Sequence, residues 1–102
     1  MIQVIPLDYA VTVAAGTGTQ AVNTAKVSVT YSYKIGNIAI KAPTAQAAYA
    51  VNILDSDGYT IFSQTGITGD YSAACGRICR NNISVKITGT DGAYSARLYM
   101  EN

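Results

Sequence analysis

Residues 26–34 read Lys-Val-Ser-Val-Thr-Tyr-Ser-Tyr-Lys, with Val27, Val29, Tyr31 and Tyr33 at every second position. A side-chain period of two puts one set of residues on each face of a β-strand. The polar face here holds Ser28, Thr30 and Ser32, with lysines only at the two ends. The same period returns at Tyr9, Val11 and Val13, at Tyr49, Val51 and Ile53, at Ile83, Val85 and Ile87, and at Tyr94, Ala96, Leu98 and Met100. There is no convincing run of apolar residues at i, i+3, i+4 and i+7, so the pattern does not argue for an amphipathic helix. Regular short strands without crossover helices point to an all-β chain: an antiparallel β-sandwich, jelly-roll or Ig-like, of about eight short strands with no substantial helix.

The punctuation sets the expected boundaries. Ile2–Ile5 ends at Pro6, and Tyr9–Ala15 is followed by a loop over Gly16–Gln20. The strand at Lys26–Lys34 closes at Gly36-Asn37, and Ile38–Lys41 is stopped by Pro43, which cannot donate to a ladder. Ala47–Leu54 and Tyr59–Ser63 form a hairpin around Asp55-Ser56-Asp57-Gly58. Gln64–Asn82 is the longest irregular stretch. A second hairpin turns at Gly89-Thr90-Asp91-Gly92. The expected core is Val27, Val29, Tyr31, Val51 and Ile53, with Ile61, Ile83, Val85, Ile87 and Leu98. At 102 residues the chain is expected to form a single domain, 1–102, around one core.

Charge narrows the partners. Only 13% of residues are charged, and the net charge is +1, against roughly a quarter charged in an average soluble domain. Lysines and arginines stand singly, so there is no basic stripe to neutralise phosphates and no polybasic run for a membrane; neither nucleic acid nor membrane is expected as a partner. A neutral surface of Ala, Thr, Ser, Gly, Asn and Tyr favours self-association. It fits either a neutral extracellular-style domain or a subunit covered by its neighbours. Met1–Tyr9 lacks the positive start and unbroken apolar stretch of a signal peptide, which implies synthesis in the cytoplasm.

Chemistry is hard to assemble from these side chains. Histidine is absent and Glu101 is the only glutamate, which removes the usual acid–base agents, so no catalytic residues, no metal and no cofactor are expected. Asp55-x-Asp57-Gly58 has the opening of a calcium loop, but a strand follows where the remaining ligands would stand, and an aspartate-capped turn accounts for it. Cys75 and Cys79 are too few for a closed zinc site. In an extended strand they would lie about 13 Å apart, against a limit of roughly 7 Å for Cα atoms joined by a disulfide. A bond therefore needs Gly76-Arg77-Ile78 to turn back, and reduced thiols are favoured with the disulfide kept as the alternative. Of the eight tyrosines, those at 31, 33, 49 and 94 alternate with core positions. Tyr59, Tyr71 and Tyr99 are the candidates for partner contact, Tyr71 foremost.

Two stretches carry a resemblance. Ala48–Phe62, Ala-Tyr-Ala-Val-Asn-Ile-Leu-Asp-Ser-Asp-Gly-Tyr-Thr-Ile-Phe, and residues 85–100, Val-Lys-Ile-Thr-Gly-Thr-Asp-Gly-Ala-Tyr-Ser-Ala-Arg-Leu-Tyr-Met, together resemble the small β-sandwich structural proteins of tailed bacteriophage particles, of the capsid decoration or head-fibre type. The resemblance implies a homo-oligomer bound to a capsid or tail protein in the virion. A carbohydrate-binding or adhesive module using its tyrosines is the rival reading. The absence of tryptophan and of a signal peptide speaks against it.

Overall fold

A computed structural model describes residues 4–22, 33–79 and 82–101. Eight strands follow one another: β1 (Val4–Val13), β2 (Thr17–Val22), β3 (Tyr33–Lys41), β4 (Ala48–Leu54), β5 (Thr60–Thr68), β6 (Tyr71–Cys79), β7 (Ile83–Gly89) and β8 (Gly92–Glu101). They pair as nested antiparallel couples, β4 with β5, β3 with β6, β2 with β7 and β1 with β8. Alternate couples fall in alternate sheets, giving the orders β1-β8-β3-β6 and β2-β7-β4-β5. A long hairpin rolled up in this way is a jelly roll, which resolves the choice left open by periodicity alone.

The inward faces meet in one apolar cluster. Val51, Ile53, Ile83, Val85, Ile87 and Leu98 are buried as the alternation requires, while Ile61 is only half-buried. Ile35, Ile38, Ile40, Val11, Val13 and Met100 join them. Val27, Val29 and Tyr31 lie outside the described residues, as do residues 26–32 of the opening strand.

Several boundaries differ from expectation, each for a physical reason. Pro6 does not end a strand: β1 runs through it, because β1 is the outer strand of its sheet and needs no donor on its open side. Gly16–Gln20 is not a loop. Ala15 and Gly16, at φ 54° and 86°, make a two-residue corner bridged from Ala14 to Thr17, and β2 starts at once. β3 continues through Gly36-Asn37 by a register shift against both neighbours. The stretch 64–82 holds the end of β5 and all of β6, each interrupted by a bulge at a left-handed glycine, Gly66 (φ 69°) and Gly76 (φ 68°).

The Asp55–Gly58 turn is a hairpin: Asp55 Oδ1 accepts from the Asp57 and Tyr59 amides at 3.0 and 2.9 Å, and Gly58 has φ 90°. The turn at Gly89–Gly92 is not, because β7 and β8 belong to different sheets. Its polar groups bond outward instead. The Thr90 amide donates to the Ala48 carbonyl at 3.0 Å, and the Gly16 amide donates to Asp91 Oδ1 at 2.9 Å. Gly89 lies against the Ala48 carbonyl and Tyr49 Cα with no room for a Cβ.

Candidate interaction surface

One end of the sandwich is stitched shut. The connections β1–β2, β3–β4, β5–β6 and β7–β8 all gather there and exchange hydrogen bonds. The Ala42 amide donates to Asp70 Oδ1 at 3.0 Å, the Tyr49 hydroxyl to the Gly69 carbonyl at 2.7 Å, and the Tyr94 hydroxyl to the Thr90 carbonyl at 2.6 Å. Tyr49 and Tyr94 meet edge to face at 4.9 Å beneath these loops. Burial, with lesser repulsion from Tyr94, pushes the Tyr49 phenol up to about 12, and burial raises that of Tyr94 as well. These groups hold loops in place, and their donors and acceptors are used within the fold.

The large exposed apolar side chains collect away from that end. Val4, Ile78 and Tyr59 are 52%, 68% and 72% exposed. Val4 and Ile78 stand on the outer face of the β1-β8-β3-β6 sheet, in the cross-strand row Val4–Glu101–Lys34–Ile78. Gly36 leaves space for the Glu101 carboxylate to lie over β3, 3.6 Å from Lys34 Nζ. The next row is Pro6–Tyr99–Asn37–Ala74, and the one beyond it Asp8–Arg97–Ala39–Ser72. Arg97 grips Asp8 through two bonds, Nε–Oδ1 at 2.6 Å and Nη2–Oδ2 at 3.2 Å. That bonding holds the Asp8 carboxyl below its ordinary range.

Small side chains leave this face relief. Shallow hollows of about 500, 410 and 340 Å3 adjoin one another, and Tyr99 borders all three. The opposite outer face is plainer. Its rows Thr19–Lys86–Asn52–Ser63 and Ala21–Ser84–Leu54–Thr60 are largely hydroxyl and amide, with Lys86 the one charge among these eight residues.

Of the three tyrosines singled out, only Tyr99 belongs to the relieved face. Tyr59 is on the β4–β5 turn. Tyr71 opens β6 and packs against the core rather than standing in a loop. Cys75 has a free thiol, half-buried in β6, and burial raises its pKa; Cys79 ends the same strand. Among the described residues no group of three or more His, Cys, Asp or Glu gathers to hold a metal ion, and no helix is long and apolar enough to cross a membrane. Arg97 and Asp8 were missed by sequence reasoning. The outward position of Arg97 was readable from its buried neighbours Ala96 and Leu98, but its partner is 89 residues away.

No family model and no curated protein matches the sequence. Solved structures are similar in fold. A chain of infectious bursal disease virus, Gx strain, matches with a TM-score of 0.46 at 12% identity over 100% of this chain and 32% of that one. A chain of the extra small virus particle of the giant freshwater prawn Macrobrachium rosenbergii matches at 0.44 and 13%, over 98% of this chain and 77% of that one. The carbohydrate-binding module CBM36, in complex with calcium and xylotriose, matches at 0.41 and 11%, over 99% and 92% of the two chains. The chain thus spans about a third of the infectious bursal disease virus chain it resembles. These likenesses are of fold.

Proposed function

We propose that the protein is a non-enzymatic structural subunit of a virion, of the capsid decoration or head–tail accessory type, that acts by assembling with copies of itself on a capsid or tail protein. The observation that carries this reading is the contrast between the two ends and faces. One end spends its polar groups on closing loops, while a nearly neutral sheet face presents Val4, Ile78 and Tyr99 outward. Jelly rolls serve both as shell subunits and as lectins, so support for one reading over the other comes from the surface and not from the fold. Its chemistry suits many modest contacts multiplied by symmetry.

A second reading is favoured by one feature. The hollow of about 500 Å3 sets Tyr99 beside Arg97, Ser95 and Lys41, an aromatic face with polar groups that suits a sugar. Light scattering behind a sizing column, run with a polysaccharide retention assay, separates the two. The assembly reading expects an oligomer without sugar retention. A monomer that is held by polysaccharide overturns it in favour of the adhesive module.

A further inference from the structure

We propose that the outer face of the β1-β8-β3-β6 sheet pairs with the same face of a second copy, about a two-fold axis running along the strands between β8 and β3. The proposal rests on the assembly reading and names the surface that serves it.

The register carries the inference. A two-fold axis in that position lays each cross-strand row over the same row of the second copy in reverse order. The row Val4–Glu101–Lys34–Ile78 is apolar, negative, positive, apolar. Reversed, it sets Val4 on the second copy's Ile78 and Glu101 on its Lys34, so both exposed apolar side chains are covered and every charge meets its opposite. The row Asp8–Arg97–Ala39–Ser72 sets Arg97 over Ala39 and Asp8 over Ser72, so no like charges meet.

Shape follows the same reversal. Two large side chains, Arg97 and Tyr99, stand on β8, while Asn37, Ala39, Ser72 and Ala74 on β3 and β6 border, together with Tyr99, a hollow of about 340 Å3. Under the two-fold, Tyr99 and Arg97 of each copy project over that hollow in the other.

Several competing surfaces lack these features. The opposite sheet face offers Lys86 no carboxylate in its own row. The edges β5 and β6 carry bulges, and β1 carries Pro6 and Asp8, all of which discourage strand addition. A four-strand face is at the small end of stable interfaces, so association depends on concentration.

Sedimentation across a concentration series at low salt tests this, with circular dichroism confirming that each variant folds. Lys34→Glu makes the row acidic and Glu101→Lys makes it basic, so each alone should weaken self-association by at least about tenfold. Mixed in equal amounts, the two should form a heterodimer, because each reversed charge then faces an opposite one. A defect internal to one chain would not be repaired by mixing. If the wild type associates but neither variant weakens it, or the mixed variants fail to pair, this surface is wrong and assembly through another stands. A wild-type chain that stays monomeric throughout overturns both this surface and the assembly reading.

Discussion

Tyr49 joins the core to the stitched end: its ring is 4% exposed while its hydroxyl reaches the Gly69 carbonyl at 2.7 Å. Tyr49→Phe keeps the packing and leaves that carbonyl without its donor, which costs about 1 kcal/mol. The same phenol sets a pH limit. Its folded value is raised from 10.0 to about 12, so the stability it contributes is complete below pH 10 and is lost as the pH climbs through 12. Thermal unfolding followed across pH should show an alkaline fall that is shallower between pH 10 and 12 in Tyr49→Phe than in the wild type. An unchanged alkaline profile in that variant would place the titration elsewhere. Burial of Tyr49 was legible from its alternation with Val51 and Ile53. Its hydrogen bond was not, because Gly69 lies in a stretch that reads as irregular.

At the scale of the element, β6 shows how pairing overrides local signals. Gly69, Gly76 and scattered alanines disguise Gln64–Asn82 as a loop, yet β3 supplies a ladder along Tyr71–Cys79, and the glycine at the bulge absorbs the mismatch. Both cysteines therefore sit on one strand, four residues apart and divided by that bulge. We propose that they remain reduced. Alkylation in denaturant should add two groups by mass spectrometry without prior reductant, whereas a chain that takes up none until reduced has closed the bond. In the native chain, burial makes Cys75 slow to react. The β7–β8 connection teaches the converse. Thr90-Asp91-Gly92 has the composition of a hairpin turn, but Ala48 and Gly16 take its hydrogen bonds, and the chain crosses to the other sheet.

For the molecule as a whole, the nested pairing sets Val4 beside Glu101 and, among the described residues, leaves β4–β5 as the only couple joined by a short turn. Closing such long loops before their contacts form is slow. Refolding by stopped flow should occur over milliseconds to seconds, and microsecond folding would contradict this topology. Strand character and side-chain facing are legible in the sequence wherever the alternation is unbroken, as at Tyr49–Ile53 and Ile83–Ile87, and so is the near-neutral surface, since alternation and composition need no knowledge of neighbours. The tertiary structure alone decided which strands pair, that Asp8 meets Arg97, and that Val4, Glu101, Lys34 and Ile78 form one row. Those outcomes depend on contacts between distant segments, whose register is chosen by the packing of the whole core and not by any one stretch of chain.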